Sequence, residues 1–147
     1  DYAYCLVRQH ELWWNDFLFL VDNVTKGGAR PWIWSDYVWR HPEMFYEKMP
    51  KSVLQGNWYY GEKFEDNIDA VKAYVDLEAH GYDQAPTGSN WSTPVSFENT
   101  VAFCAKHIAR ERLKGFLQTV WKPTVEARRQ RHIEAIEQIG RARAKFK

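Results

Sequence analysis

Four short apolar runs, each ending at an aromatic residue and each followed by a helical pattern, constrain this 147-residue chain more than any other feature. They read "PWIWSD" (31–36), "SVLQGNWYYG" (52–61), "YDQAPTGSNW" (82–91) and "KGFLQTVW" (114–121). A helix comes before the first run, so the predicted order is one helix and then strand–helix four times over. Strands that alternate with helices imply parallel pairing through crossover helices. Runs without strict polar alternation predict strands buried on both faces.

The helices carry their own signals. Tyr4 to Thr25 is helical, with Trp13, Phe17, Leu20, Val21 and Val24 on one face, and Lys26-Gly27-Gly28 caps its end. His41-Pro42-Glu43 opens a short helix that stops by Pro50, with proline in the first turn, where its missing N–H costs nothing. Phe64 to His80 is amphipathic through Phe64, Ile68, Val71 and Val75, and Gly81 closes it. Phe97 to Leu113 presents Phe97, Val101, Cys104 and Ile108. The last helix starts at Pro123-Thr124, and its arginines are broken by Glu126, Glu134 and Glu137. Val125, Ile133 and Ile136 give it a docking stripe, so it reads as a solvated outer helix and not a nucleic-acid binder. No linker or low-complexity segment interrupts residues 1–147, which form one domain.

A net charge of +1 gives no reason to expect nucleic acid or an anionic membrane as partner. No apolar run reaches about 18 residues, and the first residues lack a basic n-region and a cleavage site, so no membrane span or signal peptide is expected. Cys5 and Cys104 sit in apolar helical stretches and read as buried free thiols. No metal site or cofactor motif is present in the sequence pattern.

The excess lies in the aromatics, at 16% with eight each of Trp, Tyr and Phe. In parallel α/β architectures ligands meet the carboxyl ends of the strands. Those ends carry Trp34 and Asp36, then Trp58 and Tyr60, then Asn90 and Trp91, then Trp121. A core needs bulk along a strand, whereas an aromatic recurring at one end of every strand suits a ligand with flat apolar faces and hydroxyls, such as a sugar. These seven residues are the expected substrate-binding set. Asp36, Glu62 and Asp83 are the carboxylates near strand ends; Glu62 and Asp83 read as helix-entry or turn residues, and Asp36 as a ligand-binding acid. His41 reads as a helix-start residue.

The ordered set of motifs resembles the second half of the (β/α)8 barrel of family 20-type β-N-acetylhexosaminidases, a glycoside hydrolase family. "GGARPWIWSD" is similar to its fifth strand unit, "MPKSVLQGNW" to the sixth, "HGYDQAPTGSNW" to the seventh and "KGFLQTVW" to the eighth. The resemblance implies half of a TIM barrel in which Trp34, Trp58 and Trp121 wall a sugar pocket and Asp36 stands where the family has an acidic residue. Two positions depart from the family. Ser89-Asn90-Trp91 stands where it has Asp-x-Tyr, and Trp121-Lys122-Pro123 where it has Trp-x-Glu, so the groups that usually hold an acetamide are missing. The family's catalytic Asp-Glu pair belongs to the fourth strand, and no such pair occurs in residues 1–30.

A full barrel takes about 250 residues. The resemblance therefore implies a carbohydrate-active fragment whose acid catalyst lies upstream, inactive by itself, and secreted or periplasmic if its parent degrades polysaccharide. The other class of function that fits is a non-catalytic carbohydrate-binding or assembly module built on the half barrel. Either way its partners are an oligosaccharide or glycoside and the missing N-terminal barrel half, or a second copy of the chain. The inner layer expected to face that partner is Ile33, Leu54 and Leu117.

Overall fold

The computed structural model of the chain describes residues 10–146. Helix α1 (His10–Lys26) precedes strand β1 (Trp32–Trp34), a 3-10 turn (Asp36–Trp39) and helix α2 (Pro42–Lys48). Strand β2 (Leu54–Gly56) leads to α3 (Asp69–Ala79), β3 (Thr87–Ser89) to α4 (Ser96–His107), and β4 (Leu117–Thr119) to a second 3-10 turn (Glu126–Arg128) and α5 (Arg129–Lys145). Cys5 and the expected helix start at Tyr4 lie outside the described residues.

The fold is α/β with short parallel strands. β1 pairs with β2 and β3 with β4, each in parallel over three residue pairs. Parallel bridges at Gln55–Gln84 and Trp58–Thr87 join the two small sheets. Backbone bonds from Gln55 N to Asp83 O (3.0 Å), Ala85 N to Gln55 O (2.8 Å) and Thr87 N to Asn57 O (2.9 Å) make that junction. The ladders are shorter than the apolar runs because the chain leaves the sheet at its polar and aromatic ends.

Two helix ends show why the punctuation in the sequence works. After α1, Gly28 takes φ 79°, its N–H bonds Thr25 O and Ala29 N–H bonds Val24 O. After α3, Gly81 takes φ 75°, and the N–H groups of Gly81 and Tyr82 bond Glu78 O and Leu77 O. Both are left-handed caps that satisfy orphan carbonyls, and glycine adopts that conformation without steric cost.

The core sits between the strands and the helix layer, built from Trp14, Val21, Val38, Phe45, Met49, Val53, Ala73, Leu77 and Tyr82. Ile33 packs against this cluster, so it faces the helices. The expectation that Ile33 belongs to the inner layer is corrected. Alternation along a strand cannot place Ile33 and Trp34 on one face, and Trp32 takes the inner position, opposite Leu54 in the ladder. On that inner face Trp32 and Leu117 are 41% and 39% exposed.

The strands are also less apolar than expected. Gln55, Asn57 and Gln84 are fully buried behind them and fasten strands to helices with their amides. Gln84 Nε2 donates to Tyr74 O (3.0 Å), Asn57 Nδ2 to Ala70 O (2.7 Å), and Gln55 Oε1 accepts from Ser35 Oγ (2.9 Å). Gln55 Nε2 also donates to Val53 O and Asn57 Oδ1 accepts from Trp39 Nε1, both at 2.9 Å. These two amides are bonded at both ends and avoid the desolvation cost of an unpaired polar group, whereas Gln84 Oε1 is buried without a partner.

Two docking faces differ from expectation. On α1, Val21 is buried and Trp13 and Phe17 pack against the core as expected, Trp14 joins them, and Leu20 and Val24 are 59% and 39% exposed. On α5 the buried residues are Ala135, Gln138 and Ala142, while Ile133, Ile136 and Ile139 point outward, and Val125, which lies ahead of the helix, is 52% exposed. The alanines let α5 approach α4, where Phe97, Val101 and Ala142 form a small cluster. Gln138 Oε1 accepts from Gln118 Nε2 at 2.6 Å, fixing the helix to β4. α4 presents Phe97, Val101 and Cys104 as expected but ends at His107, and Ile108 continues into the core in extended conformation. Cys104 is a buried free cysteine, and burial pushes its thiol well above the usual range.

Candidate functional site

Because all four strands run in parallel, their carboxyl ends emerge together, and the chain turns sharply after each one. β1 runs through Trp34 into the 3-10 turn that begins at Asp36. Trp58 bridges in parallel to Thr87, which places it at the mouth of the β2–β3 junction. After β3, Ser89 Oγ donates to Thr119 O and accepts Trp91 N–H at 2.9 Å, which fixes the backbone that carries the Trp91 indole.

These ends enclose an open cleft of about 530 Å³ lined by Trp34, Asp36, Trp58, Tyr60, Trp91 and Trp121. Six of the seven residues picked from the sequence therefore meet in one place. The seventh does not. Asn90 is 2% exposed and turns away, donating from Nδ2 to Arg131 O of α5 at 2.8 Å. It is a fastening between β3 and α5.

The aromatic wall is held by its own contacts. Trp34 and Trp121, from the first and last strands, approach to 5.9 Å between ring centroids. Trp58 packs on Tyr60 at 4.9 Å and edge-on against Trp39 at 4.7 Å. Trp58 Nε1 donates to Asp36 Oδ1 at 3.4 Å. The Tyr60 hydroxyl accepts from Trp121 Nε1 at 2.8 Å and lies 3.3 Å from Thr119 Oγ1, whose single proton is within reach of Gly88 O at 3.1 Å. Trp121 holds φ 53°, a left-handed conformation for a bulky residue, and is 52% exposed. Such backbone strain costs about 1–3 kcal/mol, collects at ligand sites, and persists where surrounding contacts enforce it.

Three contributors were not picked out in the sequence. Trp32 packs edge-on against Trp34 at 4.6 Å, and a spacing of two residues was the signal that could have found it. Lys122 Nζ sits 4.2 Å over the Trp91 ring. Thr119 supports Tyr60 from β4, and no sequence pattern marks it.

The other polar candidates have structural partners. Asp83 pairs with Arg30 (2.8 Å) and Lys114 (3.4 Å). Glu62 accepts from Thr93 Oγ1 at 2.6 Å and ties two loops together. His41 packs at a tilt against Tyr37 ahead of α2, with centroids 4.7 Å apart, and His80 stacks on Tyr46 with centroids 3.6 Å apart. Among the described residues no group of three or more His, Cys, Asp or Glu side chains is placed to hold a metal ion, and no helix is long and apolar enough to cross a membrane. No family model, no curated protein and no solved structure matches the chain.

Proposed function

We propose that the chain is half of a (β/α)8 barrel and that the aromatic cleft is its carbohydrate-binding wall, in the manner of family 20-type β-N-acetylhexosaminidases. The observation that carries the reading is the convergence of Trp34, Trp58, Trp91 and Trp121 on one cleft with Asp36 and Tyr60. Its volume lies within the roughly 300–1,000 Å³ of small-molecule sites. Indole faces stack on the apolar faces of a pyranose, and the carboxylate and the phenol bond its hydroxyls.

The half-barrel part of the proposal rests on the edges. Closure of this kind takes eight strands with consistent tilt and stagger. β1 and β4 each have one strand neighbour among the described residues. Beside β1 runs an apolar groove of about 410 Å³ lined by Trp13, Phe17, Leu20, Val24 and Trp32. At the other end α5 presents Ile133, Ile136 and Ile139 to solvent, with Ile136 68% exposed. Both flanks suit a further parallel strand–helix unit, from an upstream barrel half or from a second copy.

Glycoside hydrolysis takes two carboxyl groups, about 5–5.5 Å apart for retention or 6.5–9.5 Å for inversion. Asp36 is the one carboxylate that lines the cleft among the described residues. The general acid of a hydrolase therefore comes from the other half, and this chain by itself binds without turnover.

Titration of the intrinsic tryptophan fluorescence with oligosaccharides tests the reading. A saturable response is expected, and Trp58→Ala weakens it several-fold, because a stacked ring is worth about 0.5–1.5 kcal/mol beyond area burial. No response to any sugar at millimolar concentration sinks the proposal.

A further inference from the structure

The hydrogen-bonding character of the cleft is one-sided. Its lining holds the carboxylate of Asp36 and no lysine, arginine or histidine. Asp36 appears in no ion pair of the described residues, and Arg40, four residues on, reaches Asp69 at 3.8 Å instead. The one hydrogen bond Asp36 receives is the long one from Trp58 Nε1, 3.4 Å to Oδ1, so Oδ2 is open to the cleft. Two donors that a sugar oxygen would need are already used, Trp58 Nε1 on Asp36 and Trp121 Nε1 on Tyr60. What remains is an open carboxylate oxygen as the one charge in the lining, the indole N–H groups of Trp34 and Trp91, and indole faces, whose π clouds are the negative part of the ring quadrupole.

Such a surface attracts cations. Aromatic rings around a carboxylate are the arrangement that recognises ammonium groups. The protein itself supplies an example, since the Lys122 ammonium lies 4.2 Å over Trp91 and occupies that ring. Trp34, Trp58 and Trp121 line the rest of the cleft.

We infer that the sugar held in this cleft carries a free protonated amine, as in a 2-amino-2-deoxyhexose, in preference to a hydroxyl or an acetamide. The inference rests on the carbohydrate-binding reading above. An acetamide is neutral and gains nothing from the Asp36 charge and little from the negative π faces. An ammonium brings donors and a positive charge, and it meets Asp36 at one side and the indoles on the others.

The test uses the whole 147-residue chain at fixed ionic strength and about pH 6, where an aliphatic amine is protonated. Tryptophan fluorescence is titrated with glucosamine, glucose and N-acetylglucosamine. Glucosamine is expected to bind about tenfold more tightly than either neutral sugar, the combined weight of a partly exposed ion pair and a cation–π contact. Tetramethylammonium chloride, which has the charge and no hydrogen-bond donor, should compete with glucosamine in the millimolar range. Asp36→Asn should bring the glucosamine-to-glucose ratio close to one, and Asp36→Glu, which keeps the charge, should retain most of it. Equal affinity for glucose and glucosamine overturns the inference and leaves the sugar-binding reading standing. A preference for glucosamine that survives Asp36→Asn also overturns it. Silence toward all three sugars removes both.

Discussion

Gly88, in the middle of β3, is where α4 lies closest to the sheet, and Gly88→Ala tests whether that approach sets the position of the cleft wall. A methyl built at Gly88 falls 2.8 Å from Phe97 Cα, 3.0 Å from Phe97 Cδ2 and 3.1 Å from Thr100 Oγ1. The nearest of these is backbone, so no rotamer change relieves it, and ordinary contact begins at 3.4 Å. Helix α4 must therefore back away by about half an ångström or more, and with it Phe97, Val101 and Cys104, which are all buried. Overpacking of this kind costs about 1–3 kcal/mol. For a chain of this size, each kcal/mol lowers Tm by about 2–4 °C. Urea unfolding followed by circular dichroism should show a lower midpoint with the slope unchanged. Because Ser89 fixes the backbone of Trp91, fluorescence should also report a changed indole environment. A Gly88→Ala chain as stable as the parent would mean that α4 does not pack this closely on β3.

Gly140 lies in α5 with nothing within 4 Å of a built Cβ, so Gly140→Ala should stabilise the chain by about 0.5–1 kcal/mol, read as a higher urea midpoint. Glu78 is held by Arg112 through Nε at 2.9 Å and through Nη2, and that hydrogen bond lowers its pKa. Its folded pKa is below the unfolded one, so the contribution is complete above the unfolded value and is lost as pH falls through the folded value; Glu78→Gln should cost about 1 kcal/mol at neutral pH and progressively less as the pH is lowered. Sedimentation of the purified chain at micromolar concentration should show a dimer or larger species, and a stable monomer would sink the half-barrel reading.

The order of elements was legible because each level of the sequence agreed with the next. Apolar runs, glycine caps at Gly28 and Gly81, and proline at the start of α2 all pointed to one alternating pattern, and each appears in the fold. Strand extent was not legible. Runs of six to ten residues became ladders of three, since the chain leaves the sheet at its polar and aromatic ends. A buried glutamine looks like a surface glutamine until its partners, Ser35 and Tyr74, are known.

The cleft was legible for a related reason. Parallel strands bring their carboxyl ends together whatever the register, so an aromatic at each end needed no exact alignment to be found. Asn90 was misassigned because side-chain direction does depend on register. Ser89 faces inward, so Asn90 faces the helix layer, and alternation alone would have placed it there.

The helices whose apolar faces misled most are α1 and α5, and they are the first and last elements described. In each, part of the most hydrophobic stripe turns away from this chain's own core, Leu20 and Val24 on α1 and Ile133, Ile136 and Ile139 on α5. Trp14 is buried where Leu20 was expected, and Ala135 and Ala142 where Ile133 and Ile136 were expected. A helix in the middle of an α/β layer has strands on one side and helices on both flanks, so it needs more than one apolar face. The middle helices α3 and α4 find their flank partners within the chain, where Phe64 and Tyr74 meet Phe103. α1 and α5 find one flank each. Their remaining apolar stripes, Leu20 and Val24 with Trp32 on one side and Ile133, Ile136 and Ile139 on the other, lie where the next unit of a closed barrel would pack. On the half-barrel proposal, the misreading of these faces has a simple cause: the sequence would encode contacts with neighbours that the four strand–helix units do not themselves supply.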